Sequence, residues 1–172
     1  IVGDAAKLRY KSLGINLDEV KSKLLAVNNL ALEGKPEDMV ITSHICRGNY
    51  HSTFFASGAY DSVADYVFAK ENVDALFLEY DDERSGGFAP LAKVSGDKKV
   101  VLGLITTKSP ALEDKEAVIE RIHEAAKYIP LDRLCLSPQC GFASCEIGNK
   151  LTEEEQWAKL KLVKEIAEEV WG

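Results

Sequence analysis

The sequence predicts an α/β fold: a parallel sheet covered by helices, amounting to half of a (β/α)8 barrel of the TIM type. Four short runs, ending near Ile45, Glu79, Thr106 and Ser137, are almost continuously apolar, as strands buried on both faces are. Helical spacing or helix-capping residues follow each run, and strand–helix alternation of this kind indicates a parallel sheet. A full barrel takes about 250 residues, so a chain of 172 with four such units supplies half of one. Open edges on both sides would expose unpaired backbone groups, so another segment of the same protein or a second copy should close the sheet.

The elements follow in order. Asn16 and Glu19 have the spacing of an N-terminal capping pair. Behind them Val20, Leu24, Val27 and Ala31 recur at helical spacing, predicting an amphipathic helix over about 17–33 that Gly34 and Pro36 end. A strand over Met39–Ile45 comes next, then a loop rich in Gly, Asn and Ser from Arg47 to Gly58. Asp61 is positioned to cap a helix carrying Val63, Tyr66 and Val67 towards Lys70. The run from Val73 to Glu79 is the second strand, and Pro90–Val94 a short helix or turn. Lys99–Thr106 is the third strand, followed by a helix over about 114–128 with Val118, Ile122, Ala125 and Ala126 on one side. Arg133–Ser137 is the fourth strand. Thr152 and Glu155 then form a capping box for a last helix, with Trp157, Leu160, Val163, Ala167 and Val170 as its buried stripe.

Composition narrows the function. An apolar fraction of 46% and a charged fraction of 28% are those of a globular protein, read as one segment over 1–172 without an internal boundary. No apolar run approaches the roughly 18 residues that span a bilayer, and no signal-peptide pattern opens the chain. It opens on Ile1 with no turn or cap before it, which suggests a fragment or a processed chain. A net charge of −7 argues against a nucleic-acid binder. Four cysteines without a secretory signal point to a reducing, cytoplasmic setting where thiols bind metal or sit in cores.

His44 and Cys46 stand two residues apart at the end of the first strand, so imidazole and thiol project from one face. Both are zinc-type ligands; alone, the pair reads equally well as a core histidine and an inert thiol. Glu79 and Cys140 close two later strands, at the carboxyl ends where parallel βα folds place their sites, and would complete the set. Glu79 in isolation reads as a solvated carboxylate or a salt-bridge partner. Cys135 lies mid-strand and reads as core; Cys145 reads as a spare thiol, and His51 and His123 as ordinary. Asp81, Asp82 and Glu83 read as a solvated acidic turn, with Arg84 paired to one of them. Lys108 is a general acid, a partner for an anionic tail, or a solvated loop lysine.

The stretches His44-Ile45-Cys46, Glu79 with Arg84-Ser85 behind it, and Ser137-Pro138-Gln139-Cys140-Gly141-Phe142 resemble the catalytic barrel of cobalamin-independent methionine synthases. Ser43–Tyr50, Leu78–Gly86 and Leu134–Ser144 most resemble the shorter single-barrel bacterial relatives, and the similarity runs from about residue 10 to Trp171. The resemblance implies that this is the C-terminal half of the barrel, with zinc held by His44, Cys46, Glu79 and Cys140. It also implies methyl transfer from 5-methyltetrahydrofolate, or its polyglutamate, to the thiol of homocysteine, giving methionine, with the remaining half of the barrel as partner. Glu79 would be the ligand that a substrate thiol replaces, and Arg84 and Ser85 would bind substrate. Where those enzymes place a histidine proton donor before a Ser-Pro pair, this chain has Lys108 before Ser109-Pro110. Two alternatives stay open: zinc-dependent alkyl transfer to another thiol such as coenzyme M, or from another donor, and a structural zinc site without catalysis.

Overall fold

The structure is a computed structural model that describes residues 3–172, so Ile1 lies outside it. Helix α1 (Asp4–Ser12) leads into α2 (Leu17–Ala31), whose cap Asn16 accepts the N–H groups of Asp18 and Glu19. Gly34, at φ +76°, then turns the chain towards the sheet. Strand β1 (Thr42–Ile45) starts later than the apolar run, because Asp74 intervenes. Its Oδ2 takes the Ile41 N–H at 2.7 Å, replacing a ladder bond with a side-chain bond.

Two short helices follow, α3 (Asp61–Ala64) and α4 (Val67–Lys70), where the sequence predicted one capped by Asp61. Tyr60 occupies the cap position without a side-chain bond; its hydroxyl is engaged instead with the backbone of Glu79. Strand β2 (Ala75–Glu79) leads through short 3₁₀ turns at Glu83–Ser85 and Ala89–Lys93 to β3 (Lys99–Ile105). Helix α5 (Lys115–Ala125) is capped by Asp114 and buries Val118, Ile122 and Ala125. Strand β4 (Leu134–Pro138) and helix α6 (Glu153–Trp171) complete the order, with the Thr152/Glu155 capping box formed in both directions.

The four strands are all parallel in the order β1-β2-β3-β4. Ile45, Leu76, Leu78, Val100, Leu102, Leu104, Leu134 and Leu136 point to the helices and join Phe68, Ile122, Leu162 and Ile166 in the core. The alternate residues Thr42, His44, Phe77, Val101 and Cys135 share the opposite face, which carries the candidate site at its carboxyl end. Cys135 therefore stands on the site-bearing face of β4, not among the residues packed on the helices.

Two apolar stripes differ from expectation. Leu24 and Val27 of α2 are exposed, and no residue of that helix is buried, so the predicted amphipathic face is open in this chain. On α6 the buried residues are Lys159, Leu162 and Ile166, while Trp157 is 59% exposed. The stripe is rotated because Lys159 packs its stem inward and its ammonium reaches both Glu113 oxygens at 3.0 Å and the Ala111 carbonyl at 2.7 Å. Among the described residues, no helix is long and apolar enough to cross a membrane.

Candidate metal centre

One ligand atom from each of His44, Cys46, Glu79 and Cys140 lies within 4.8 Å of all the others. Register explains the meeting. His44 pairs with Phe77, so Cys46, two residues on, comes level with Glu79, two residues after Phe77. Cys140 follows the end of β4, which crowds against β3 at Gly103: a side chain there would meet the Gln139 Cα at 2.7 Å. Absence of a side chain at Gly103 lets the Cys140 loop approach.

Glu79 is fully buried and has protein partners of its own. Its Oε1 accepts the Arg47 N–H at 3.1 Å and lies 3.5 Å from His44 Nε2, while Oε2 lies 3.3 Å from Arg84 Nη2. Burial pushes the Glu79 pKa up, but His44, the Arg47 amide and the charges of Lys108 and Arg84 outweigh it and hold the carboxyl below its ordinary value. The Cys140 thiol, with Glu79 behind it, raises His44 to about 10. In return His44, helped by Ser144 and the Gly141 N–H, lowers Cys140 to about 7 against the opposing effect of burial. The two shifts have one cause, the imidazole and the thiol each favouring the other's charged form, and a cation bound here would take the place of the imidazole proton.

Arg84 reaches past the acidic turn expected to be solvated. Its Nη2 lies 2.7 Å from Asp81 Oδ1 and its Nη1 bonds Asp82, so it pairs with both of these carboxylates as well as with Glu79. Burial raises the Asp81 carboxyl above its ordinary value despite the guanidinium beside it. Ser85 is buried, with no partner for its hydroxyl among the described residues. The Lys108 Nζ is buried without a hydrogen-bond partner among the described residues. Burial lowers its pKa, with the Arg84 charge adding to the fall and the charges of Asp81, Glu79 and Cys140 opposing it. Cys145 contributes a backbone carbonyl to a turn at Gly148, and His51 hydrogen-bonds the Gly148 carbonyl through Nδ1 at 3.2 Å.

The supporting polar residues were invisible to periodicity. Arg47 is buried, stacked over the Tyr60 ring at 4.2 Å and donating to the Gly58 carbonyl at 2.6 Å. Gln139 Oε1 accepts both the N–H and the hydroxyl of Thr107 at 2.8 Å. Asn49 and Asn149 join the loops after β1 and β4. The only sequence signal for these residues is the cluster of amide side chains beside the candidate ligands.

Parallel βα units with nitrogen, oxygen and sulfur donors gathered at their strand ends define a barrel-type α/β protein with a candidate metal centre. The chain belongs to the family of the cobalamin-independent synthase catalytic domain, which it matches over residues 19–169. It is 53% identical over 164 residues to YxjG, an uncharacterized protein of Bacillus subtilis (strain 168), covering 95% of this chain and 43% of that one. The crystal structure of a putative vitamin-B12 independent methionine synthase from Listeria monocytogenes superposes with a TM-score of 0.69 at 41% identity, over 88% of this chain and 41% of that one. A B12-independent methionine synthase from Shewanella sp. W3-18-1, in complex with selenomethionine, gives 0.70 at 25% identity, over 89% and 44%. The chain thus spans less than half the length of these relatives, as four strand–helix units of a barrel do.

Proposed function

We propose that the chain is the zinc-binding half of a methyltransferase that moves a methyl group from 5-methyltetrahydrofolate, or its polyglutamate, to the thiol of homocysteine. The observation that carries this reading is the meeting of one imidazole, one carboxylate and two thiols within 4.8 Å at three strand ends. That donor set fits a borderline-soft, four-coordinate ion such as zinc, with His44, Cys46, Glu79 and Cys140 as the residues that would hold it. When bound, zinc lowers the pKa of a thiol and so supplies thiolate at neutral pH. Selenomethionine in the Shewanella relative is an analogue of the expected product.

Ionising a thiol of pKa about 8.5 completely at neutral pH is worth only about 2 kcal/mol. The protein's residues must therefore supply more. Lys108 supports protonation of the departing nitrogen: its amine is buried, lacks a hydrogen-bond partner among the described residues and has its pKa lowered by burial. Glu79, held by the Arg47 amide and near Arg84, is the ligand suited to giving way to a substrate thiol. The open sheet face and the exposed stripe of α2 suit completion of the barrel by further strand–helix units, from the same protein or another chain. A second reading, a different methyl donor, is favoured by Lys108 standing where the methionine synthases place a histidine. Metal analysis, with methylation of homocysteine and of coenzyme M measured from labelled methyltetrahydrofolate, tests both. Zinc with labelled methionine supports the first; zinc without folate-dependent transfer to either thiol, measured with the rest of the barrel present, removes it.

A further inference from the structure

Arg84 is better built to receive a carboxylate than to meet substrate. Its side chain is 5% exposed and is fixed from several sides. Nη2 is 2.7 Å from Asp81, Nη1 bonds Asp82, the backbone N–H donates to Asp82 Oδ1 at 2.9 Å, and the backbone carbonyl accepts the Gly58 N–H at 2.8 Å. The Phe54 ring covers the guanidinium at 4.9 Å. Against this fixed group, Glu79 Oε2 sits 3.3 Å from Nη2, longer than the roughly 2.7–2.9 Å of a tight charge-assisted bond. The Nε on the same side of the guanidinium is buried without a partner among the described residues. The Glu79–Arg84 contact is thus one arm of a bidentate fork whose other arm is unused.

We propose that Arg84 is a positioning residue that takes the Glu79 carboxylate into this fork when a thiol replaces it at the ion, and so governs thiol affinity more than metal affinity. The proposal rests on reading the four-residue cluster as the zinc site. With zinc held by His44, Cys46 and Cys140, an incoming thiol would give its proton to solvent and its sulfur would stand where the Glu79 oxygen had been. The ion's shell would keep its charge, and the released carboxylate would gain a second hydrogen bond from the guanidinium that already holds Asp81 and Asp82. Without Arg84 the buried carboxylate would keep the Arg47 N–H on Oε1 but would have no donor for Oε2, which is unfavourable.

The test compares the zinc-loaded full chain with Arg84→Gln and Arg84→Lys, measuring zinc per chain, melting of the metal-free form, homocysteine affinity by calorimetry, and sulfur and oxygen scatterers at the ion by X-ray absorption. Expected are unchanged zinc content and a lower melting temperature for Arg84→Gln, since buried Asp81 also loses its cation, with homocysteine affinity at least about tenfold weaker for Arg84→Gln and both effects partly restored in Arg84→Lys. The oxygen scatterer should persist in Arg84→Gln at homocysteine concentrations that remove it from the wild type. Wild-type affinity and the same oxygen-for-sulfur exchange in Arg84→Gln overturn the proposal, as does loss of zinc from that variant without added thiol; neither touches the parent reading. A wild-type chain that takes no zinc, or whose sulfur count homocysteine leaves unchanged, overturns both.

Discussion

Asn149 Nδ2 donates to Asn49 Oδ1 at 2.9 Å across 100 residues of sequence, joining the loop that follows Cys46 to the one that follows Cys140. Both partners hold more. Asn49 Nδ2 donates to the Gly141 carbonyl at 2.6 Å and to Ser144 Oγ at 2.7 Å, and Asn149 Nδ2 also donates to the Thr107 carbonyl at 2.7 Å. Asn149 Oδ1 accepts the Ser52 N–H at 2.9 Å. Three strand ends are thereby locked in one arrangement around the candidate centre.

Asn149→Ala should therefore act on metal binding from a distance. It strands the Thr107 carbonyl and the Ser52 N–H and frees the Cys140 loop, so stability should fall by about 1–3 kcal/mol. Zinc affinity should fall about 10- to 100-fold, as for other residues that orient ligands without touching metal. Urea unfolding and chelator competition read the two effects; unchanged zinc affinity would show that the clasp has no part in placing Cys140.

Cys140→Ser should remove most bound zinc while the helices persist, since the residue lies in a loop after β4 and outside the hydrophobic core. Metal content and circular dichroism measure this directly. Retention of zinc would mean that Cys140 is not a ligand.

For the metal-free chain, stability should depend on pH in a specific way. His44 is raised from 6.5 to about 10, so its contribution is complete below 6.5 and is lost as pH climbs through about 10. Cys140 is lowered from 9.0 to about 7, so its contribution is complete above 9.0 and is lost as pH falls through about 7. The opposing slopes cancel between about 7 and 9, giving a plateau, with loss as pH rises from 9.0 to about 10. Melting temperatures of the wild type minus those of His44→Gln should trace this shape. Zinc affinity should instead rise with pH through the plateau, because binding must expel the His44 proton.

Much of this architecture can be read from the chain, for reasons that differ by element. Lys99–Ile105 is legible because a strand covered on both faces has no polar interruption, and α6 because its Thr152/Glu155 box is a local signal. The meeting of His44, Cys46, Glu79 and Cys140 is legible because each stands at or just beyond a strand's carboxyl end, where parallel topology brings distant residues together. Helix α1 was not anticipated: no regular apolar stripe marks Asp4–Ser12. The break between α3 and α4 and the rotated face of α6 depend on tertiary partners, the backbone of Glu79 for Tyr60 and Glu113 for Lys159. Arg47, Asn49, Gln139 and Asn149 escaped because polar residues in loops carry no periodicity, although burial of the first three and the hydrogen bonds of Asn149 make them structural.

Lys108 should show itself in the pH dependence of methyl transfer. Burial moves its pKa below 10.5, so the rate should fall on the alkaline side as the amine loses the proton it must deliver. Lys108→Met should lower kcat by about 10²- to 10⁴-fold and remove that limb, leaving zinc content unchanged. An alkaline limb that survives the substitution would assign it to another group.

Gly103→Ala tests whether the approach of β4 to β3 is what delivers Cys140. A Cβ at this position would stand 2.7 Å from the Gln139 Cα and 2.9 Å from the Leu78 carbonyl oxygen, both backbone atoms that no rotamer change can move. The neighbouring strands must therefore shift, and overpacking of this kind costs about 1–3 kcal/mol. The displacement falls at Gln139, so Cys140 should move with it, and the Gln139–Thr107 bonds at 2.8 Å should lengthen. Substitution of another strand-interior residue, Val101→Ala, serves as the control: it also costs stability, through a cavity, but pushes no backbone. Equal losses of stability with zinc affinity reduced only in Gly103→Ala are expected. Parallel zinc affinities in the two variants would mean that the close contact at Gly103 serves the sheet alone.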